Sequence, residues 1–245
     1  GIVYRYAIEV AIKVVENPEE NIHEHNMYVQ ATPHDNILRC HGLFEKPQSF
    51  PRGVSPILVL DAAFCNLSQF VLKNRWKRTI TTFLNVDFAG MVEYLHKEFY
   101  QLGRALKHMH DHHVLHRDIK PANILMTGDD LIDPRIIFKL GDFNLSRIIE
   151  NKDEMSFCGT KNYMAPEIIN KIKYDEKVDI WSFLCVLIEL GIMKNINPIL
   201  IPTYQLIEIV NELTEFEIKL IKLMHKTNAL ERPNAEQMKD FIIMD

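Results

Sequence analysis

The residues best suited to chemistry lie in two acidic motifs, each next to a short apolar run. Residues 116–123 read HRDIKPAN, and residues 142–144 read DFN. The side chains of Asn123 and Asp142 both end in oxygen atoms, and if they converge they suit a hard cation such as Mg²⁺. An isolated aspartate in a loop is usually a turn former or a helix cap, so each motif alone is a weak signal.

Two further motifs complete the set. Residues 10–13 read VAIK and place Lys13 in an apolar, strand-like run, and residues 159–167 read GTKNYMAPE. A lysine in such a run is usually a surface residue whose amine reaches solvent. Four motifs in this order and with this spacing are poorly explained by chance. The chain resembles the eukaryotic protein kinase family, of the Ser/Thr type, over essentially all of its 245 residues.

The resemblance implies a set of residues for phosphoryl transfer, a reaction in which the protein mainly positions groups and neutralises charge. Asp118 would accept the hydrogen bond of the attacking hydroxyl. Lys120 would support the transferred phosphate, and Thr160 would hydrogen-bond to the Asp118–Lys120 pair. Asn123 and Asp142 would hold Mg²⁺, which bridges the phosphates of ATP.

The resemblance also implies a site for ATP. Lys13 would hold the α and β phosphates and pair with a glutamate of the following helix, either Glu24 or, as the alternative, Glu20. Leu60 would be the gatekeeper beside the adenine, and the hinge from Asp61 to Ala63 would offer backbone hydrogen bonds. The apolar contacts to the base and the roof of the cleft would come from Val3, Ala11 and Leu125.

Two departures from the family pattern concern glycines. The glycine-rich loop is represented only by Gly1 and Val3, its last glycine and valine, so we expect either that the protein continues before Gly1 or that it is truncated there; the absence of an initial Met favours the first. The second departure is DFN in place of DFG. Asparagine is the side chain that best tolerates left-handed backbone angles, so we expect Asn144 to keep this loop usable.

The first 60 residues are rich in β-branched side chains and predict a small, strand-rich part. We expect buried strands at Val10–Val15 and Ile57–Leu60, with a short helix over Glu19–Thr32 after Pro18. Helical patterning begins at Asn66. Strands followed by helices are typical of an α+β fold.

The resemblance adds a domain organisation to this pattern. A single protein kinase domain, 1–245, would have a bilobal fold with a small β-rich N-lobe at 1–60, incomplete at its start. A hinge at 61–66 would join it to a larger helical C-lobe at 67–245.

Several elements of the helical part can be predicted individually. The predicted elements are one helix with Phe99, Leu102, Leu106 and Met109 on a single face, strands at Ile124–Met126 and Ile136–Leu140, and a helix at Ile180–Leu190 that is apolar nearly all round and therefore buried. The resemblance gives four groups structural roles. His116 and Phe143 would form the back wall of the site, Asp179 would tie the catalytic-loop backbone, and Glu167 would pair with Arg232.

Substrate class and regulation follow from the same resemblance. Lys120 and residues 159–167 resemble Ser/Thr kinases rather than tyrosine kinases, so protein substrates with Ser or Thr are expected. Arg117 before the catalytic aspartate marks family members that are switched by activation-loop phosphorylation. Ser156 stands where an upstream kinase would add that phosphate, although it could equally be a solvated loop serine.

Composition narrows the partners. The chain has 28 basic and 33 acidic residues, a formal charge of −5, which argues against a dedicated nucleic-acid binder. The longest apolar run is too short to span a bilayer, and no secretory signal is visible. We expect a soluble, cytoplasmic protein, with a nuclear location also open.

Three functions are compatible with the motifs. The favoured hypothesis is an enzyme that transfers the γ-phosphoryl group of ATP to Ser or Thr hydroxyls. The alternative is a pseudokinase that acts as a nucleotide-binding or interaction scaffold, which the incomplete glycine-rich loop and Asn144 favour. A kinase-fold enzyme for small molecules is disfavoured by Thr160 and by residues 165–167, which read APE.

Overall fold

The structure is a computed structural model, and it describes residues 9–15, 17–46, 56–72, 101–128, 137–149, 156–192 and 215–238. A small antiparallel sheet with one helix comes first, and a mainly helical part with short strands follows. This order confirms the predicted α+β class and agrees with a bilobal kinase fold.

The first sheet has three antiparallel strands, and its central strand is the most buried. The strands are β1 (Val10–Lys13), β2 (Cys40–Phe44) and β3 (Ile57–Asp61), in the order β1-β3-β2. Ile57, Leu58 and Leu60 are all buried, which confirms the predicted strand there.

The first predicted strand is shorter and more exposed than expected. It ends at Lys13 instead of Val15, and Val10 and Ile12 are each 41% exposed, so the prediction of a buried strand was wrong. Within the described sheet β1 pairs only with β3, and of the three strands the following helix packs on β2 and β3. Sequence periodicity predicts that a strand forms, but it does not predict how far neighbouring elements bury that strand.

The helix that packs on this sheet is α1 (Pro18–Ala31), and hydrogen bonds at its two ends explain why it begins and ends there. The side chain of Asn17 accepts a hydrogen bond from the Glu19 N–H at 3.1 Å, and Pro18 occupies the first helical position, where no N–H is needed. At the other end the hydroxyl and N–H of Thr32 both donate to the Tyr28 carbonyl. The predicted helix is therefore confirmed.

The mainly helical part also contains five short strands in its described residues. These are β4 (Cys65–Asn66), β5 (Val114–Leu115), β6 (Ile124–Thr127), β7 (Ile137–Leu140) and β8 (Arg147–Ile148). Strands β4, β6 and β7 form one antiparallel sheet, and β5 pairs with β8. The two strands predicted for this region are confirmed, although Ile136 lies outside the described residues.

The helices of this part are α2 (Leu67–Leu72), α3 over residues 101–111, α4 (Pro166–Ile169), α5 (Lys177–Ile192) and α6 (Glu215–Met224). Leu102, Leu106 and Met109 of α3 are fully buried, as their spacing predicts, while Phe99 lies outside the described residues. Side chains of α5 are buried on every face from Val178 to Ile188, which confirms the predicted core helix. Among the described helices, none is both long and apolar enough to cross a membrane.

A buried ion pair joins α4 to the turn near the end of the described chain. The guanidinium of Arg232 donates to both oxygens of Glu167, at 2.7 and 3.1 Å, as expected. It also lies 5.0 Å from the Trp181 ring. Because neither partner is exposed, loss of one would leave an uncompensated buried charge.

Candidate active site

Lys13, at the end of β1, contacts two carboxylates. Its Nζ lies 2.7 Å from Glu24 Oε2 and 2.8 Å from Asp142 Oδ1. Of the two candidate glutamates, it is Glu24 that pairs with Lys13, because α1 begins at Pro18 and turns Glu24 toward the sheet. The short separation of 11 positions between Lys13 and Glu24 is therefore long enough.

Lys13 and Asp142 stabilise each other's charge, whereas burial keeps the pKa of Glu24 raised in spite of Lys13. Burial lowers the pKa of Lys13, but Glu24 and Asp142 outweigh that effect and the net pKa is raised. Burial alone would raise the pKa of Asp142. The hydrogen bond and the opposite charge of Lys13 outweigh the effect of burial, so the net pKa of Asp142 is lowered. Lys13 is thus held as a cation and Asp142 as an anion at neutral pH.

A second network surrounds Asp118. Lys120 Nζ donates to Asp118 Oδ2 at 2.7 Å and to Thr160 Oγ1 at 2.9 Å, and the Thr160 hydroxyl donates to Asp118 Oδ1 at 2.7 Å. The Asn123 amide donates to Asp118 Oδ2 at 3.0 Å and to the Asp118 carbonyl at 2.9 Å. Donors hold both oxygens of the carboxylate, so its plane is fixed.

Strand register explains why Asn123 and Asp142 belong to one region. Asn123 immediately precedes β6 and Gly141-Asp142 follows β7, and the antiparallel register places Ile124 opposite Leu140. The Gly141 N–H donates to the Asn123 carbonyl at 3.0 Å. A Cβ at Gly141 would lie 2.8 Å from Leu125 Cδ1, so a larger residue here would displace the end of the Leu125 side chain.

The donor set at this edge fits a hard cation. The NH₂ group of Asn123 is engaged by Asp118, and its amide oxygen has no donor among the described residues. Lys13 contacts one oxygen of Asp142 and leaves the other. No group of three or more His, Cys, Asp or Glu side chains in the described ranges could hold a metal ion. Two protein oxygens nevertheless match Mg²⁺, which is usually completed by phosphates and water.

The backbone of the catalytic loop is held from below by Asp179 of α5. The N–H groups of His116 and Arg117 donate to its two oxygens at 2.9 and 2.8 Å, as expected. Sequence reasoning missed His110, whose ring lies 3.0 Å from the same carboxylate. Burial alone would raise the pKa of Asp179, but these partners lower it, so the carboxylate stays ionised.

The back wall is formed as expected. His116 and Phe143 are both fully buried, with ring centroids 5.0 Å apart. His116 Nε2 lies 3.1 Å from the Gly141 carbonyl, which links the catalytic loop to the segment that carries Asp142.

The left-handed residue of the DFN motif is not the one expected. Asp142 has φ 61° and ψ 72°, whereas Asn144 lies inside a 3-10 turn, Phe143–Leu145, with an ordinary negative φ. The expectation that Asn144 would need left-handed tolerance was therefore wrong. Replacement of the family's glycine by asparagine causes no backbone strain at this position.

The residues expected around adenine lie along β1, β3 and β6. Ala11 stands opposite Leu60 in the register of β1 and β3. Leu60 is buried, Ala11 is exposed and Leu125 is half-buried. Gly1 and Val3 lie outside the described residues.

In the connection after β3, one residue has backbone groups with no hydrogen-bond partner among the described residues. The Asp61 N–H donates to the Arg39 carbonyl, and the Asp61 carboxylate contacts His41 at 2.8 Å. The N–H and C=O groups of Ala63 have no hydrogen-bond partner within the described part of the chain. Ala63 is thus free to bond a ligand through its backbone.

Ser156 is held close to the catalytic loop. Arg117 Nη1 donates to the Ser156 hydroxyl at 3.0 Å and to the Tyr174 hydroxyl at 3.2 Å, and Tyr174 donates to the Ser156 carbonyl. Tyr174 was missed from sequence, since nothing in its local pattern indicates this contact.

Tyr28 was also missed. Its hydroxyl accepts a hydrogen bond from the Asp142 N–H at 3.1 Å. The available signal was its position four residues after Glu24, which places both side chains on one face of α1.

The sheet with its helix, the Lys13–Glu24 pair and the Asp118 network define a protein kinase domain. The comparisons with known proteins agree: the family model for the protein kinase domain matches residues 3–242. The chain therefore belongs to the protein kinase domain family.

Its relatives include named serine/threonine kinases. The probable serine/threonine-protein kinase kinY of Dictyostelium discoideum is 31% identical over 214 residues, which are 82% of this chain and 36% of that protein. Mitogen-activated protein kinase kinase kinase 12 of Rattus norvegicus is 34% identical over 187 residues, 74% of this chain and 18% of that protein. Serine/threonine-protein kinase Nek5 of Homo sapiens is 41% identical over 99 residues, 40% of this chain and 13% of that protein. The chain thus matches between 13% and 36% of the lengths of these relatives.

Proposed function

We propose that this domain transfers the γ-phosphoryl group of ATP to Ser or Thr hydroxyls of protein substrates. The observation that carries the proposal is the double contact of Lys13 with Glu24 and Asp142, because it holds an ammonium beside a carboxylate suited to a metal. Family membership and the named serine/threonine kinases among the relatives support the same function.

In this proposal Asp118 accepts the hydrogen bond of the substrate hydroxyl and orients it toward the phosphate. The three donors around its carboxylate keep it in place while the hydroxyl approaches. Lys120 supplies positive charge to the transferred group, and Thr160 fixes Lys120 relative to Asp118. Positioning and charge neutralisation are what a loose phosphoryl-transfer transition state requires.

Mg²⁺, when bound with ATP, neutralises charge on the phosphates. Asn123 and Asp142 would hold it through their remaining oxygens. Lys13 binds the α and β phosphates as a point charge, and Glu24 keeps its amine in position.

The adenine would lie between Ala11 and Leu125, beside Leu60, with backbone bonds from the hinge. The backbone groups of Ala63, which have no partner among the described residues, support this assignment. We extend the same proposal to Asp61 as part of the hinge and to Gly1 and Val3 as the end of the glycine-rich loop.

The lobe boundaries remain part of the proposal. They are an N-lobe at 1–60, a hinge at 61–66 and a C-lobe at 67–245. The end of β3 at Asp61 and the start of β4 at Cys65 support a connection in this interval. None of Cys40, Cys65, Cys158 and Cys185 forms a disulfide, which fits an intracellular setting, cytoplasmic or nuclear.

No contact within the described residues favours the pseudokinase alternative. The ion pair of Lys13, the donors around Asp118 and the open oxygen of Asn123 are the parts that a non-catalytic scaffold has no need to keep. The unstrained backbone of Asn144 removes one of the two reasons that favoured it.

The experiment measures nucleotide binding and turnover of the wild-type chain beside Lys13→Met. We expect the variant to transfer phosphate about 10-fold to 100-fold more slowly, the effect of losing a charge-assisted contact. Lys107→Met is the matched control, because Lys107 lies on α3 and pairs with Asp111 at the surface. Equal rates for wild type and Lys13→Met would contradict the role of Lys13.

Regulation by an upstream kinase at Ser156 is the second part of the proposal. A phosphate there would add about −1.5 to −2 charges beside the Arg117 guanidinium and order the loop. The hydroxyl already lies 3.0 Å from Arg117 Nη1.

The test compares the chain with serine at 156 and the same chain with phosphoserine installed there by codon suppression. We expect turnover to rise several-fold with the phosphate, and Arg117→Ala to abolish the rise. Equal turnover of the serine and phosphoserine forms would refute regulation at this residue.

A further inference from the structure

The contact between Tyr28 and Asp142 has no part in the function proposed so far. Asp142 has a left-handed backbone, with φ 61°, a conformation that aspartate adopts more readily than most side chains but less readily than glycine. Its N–H donates to the Tyr28 hydroxyl at 3.1 Å across 114 positions of the chain. The hydrogen bond therefore stabilises a backbone conformation that aspartate does not favour by itself.

Tyr28 is held rigidly enough to do this. Its side chain is fully buried, and its ring centroid lies 4.5 Å from that of Phe143, the residue after Asp142. The ring and the hydroxyl thus contact two consecutive residues of the same turn. Because packing already fixes the Tyr28 ring, its side chain loses little conformational entropy when the hydroxyl accepts the hydrogen bond.

One face of α1 therefore determines both the backbone and the side chain of Asp142. Glu24 positions Lys13, which contacts the Asp142 carboxylate, and Tyr28, one helical turn later, binds the Asp142 N–H. Burial raises the pKa of Tyr28 well above its ordinary value, and the Glu24 charge adds to the increase. The phenol is neutral at every working pH, and the contact does not titrate.

We propose that Tyr28 is a positioning residue whose hydroxyl, by binding the Asp142 N–H, sets the angle at which the Asp142 carboxylate meets the metal. This inference rests on the proposed function, since it assigns to Asp142 the part of a Mg²⁺ ligand. Tyr28 touches neither nucleotide nor metal in this proposal, and acts through Asp142 alone.

The test is Tyr28→Phe, which removes only the hydroxyl and keeps the ring contact with Phe143. We expect the Mg²⁺ concentration for half-maximal turnover to rise roughly tenfold, the size expected when a backbone N–H loses its one partner. The turnover number at saturating Mg²⁺ stays within about a factor of two of wild type, since the ligand itself is intact. A Mg²⁺ half-saturation equal to that of wild type would overturn the proposal.

His23→Ala is the matched control. His23 Nε2 lies 2.9 Å from the Ser146 carbonyl, so it joins the same helix to the same segment without touching Asp142. We expect its Mg²⁺ half-saturation to equal that of wild type. A rise as large as that of Tyr28→Phe would mean that any loosening of the helix has this effect, and the specific role of the hydroxyl would be lost.

Two further measurements separate the possible failures. Amide hydrogen exchange of wild type should show the Asp142 N–H protected, and exchange at the rate of a free amide would overturn the proposal even if Tyr28→Phe did not fold. Should wild type bind ATP but transfer no phosphate, the proposed function fails. Calorimetric titration of ATP with and without Mg²⁺ then still decides whether the hydroxyl affects the metal: a Mg²⁺-dependent difference between wild type and Tyr28→Phe supports the positioning role, and no difference overturns it.

Discussion

At the scale of single residues, the Asp118 carboxylate is the most constrained group of the site. Thr160 donates to one of its oxygens, and Lys120 and Asn123 donate to the other. Hydrogen bonds to a charged acceptor are about twice as strong as neutral ones, so each donor contributes to the orientation of Asp118. Thr160 has the further effect of holding Lys120, to which its oxygen is bonded.

Removal of the Thr160 hydroxyl should therefore slow the chemical step without weakening ATP binding. We expect Thr160→Val, which keeps the shape of the side chain, to lower the turnover number about tenfold and to leave the KM for ATP within about twofold, the cost of one hydrogen bond to a charged group. Thr160→Ser should restore most of the rate, because it returns the hydroxyl. Steady-state kinetics with varied ATP measures both constants, and a wild-type turnover number for Thr160→Val would show that the hydroxyl has no role.

At the scale of elements, α5 supports the catalytic loop through Asp179. This carboxylate is fully buried and bonds two consecutive backbone N–H groups and the His110 ring. Arg117 in that loop has φ 65°, an unfavourable left-handed angle. The bond from the Arg117 N–H to Asp179 thus holds a strained turn in the conformation that presents Asp118.

Asp179→Asn should reduce stability in a pH-dependent way. The folded-state pKa of Asp179 lies below its ordinary value of 3.8, so the native state binds fewer protons than the unfolded state. The contribution of Asp179 to the free energy of unfolding is complete at pH values well above 3.8 and is lost as the pH falls through the folded-state pKa.

Chemical denaturation of wild type and Asp179→Asn across pH measures this contribution. We expect the variant to lose about 2–4 kcal/mol of unfolding free energy at pH 7, because hydrogen bonds to a buried charged acceptor are weakened. The difference should narrow as the pH falls below about 4. A difference that stays constant between pH 7 and pH 3 would contradict an ionised Asp179.

At the scale of the whole molecule, the buried apolar residues of the described parts form one cluster that includes α1, β3, β6, β7 and α5. The elements that carry Glu24, Asn123, Asp142 and Asp179 therefore pack on a shared core. A core of this kind has low compressibility, so it can keep polar groups from distant parts of the sequence at fixed distances.

The sequence predicted the order of the elements well, because each polar motif adjoins an apolar run of clear period. Ile57–Leu60 was found from its apolar run, whereas the helix over Glu19–Thr32 was found from Pro18, which favours a helix start. The exposure of Val10 and Ile12 could not be predicted, because burial depends on what covers a strand and not on its own pattern.

Some contacts within the site could be predicted from the sequence and others could not. The pairing of Lys13 with a glutamate followed from the family pattern, and only the structure chose Glu24. The hydrogen bond between Tyr28 and Asp142, and the contact of His110 with Asp179, join residues 114 and 69 positions apart. The contact of His110 with Asp179 has no local signal. The position of Tyr28 four residues after Glu24 indicates a shared helix face, but not the bond to Asp142.

The central claim is that Asp118, with the metal-binding oxygens and Lys13 around it, catalyses phosphoryl transfer. Its most direct test measures the transfer of labelled γ-phosphate from ATP to a generic protein substrate in Mg²⁺ buffer, for wild type and for Asp118→Asn. We predict transfer by wild type and a loss of roughly 10²-fold or more in Asp118→Asn, the contribution of a positioned acid–base group, with nucleotide binding retained in both. If both proteins bind ATP and neither transfers phosphate, or if both transfer it equally, the claim is wrong.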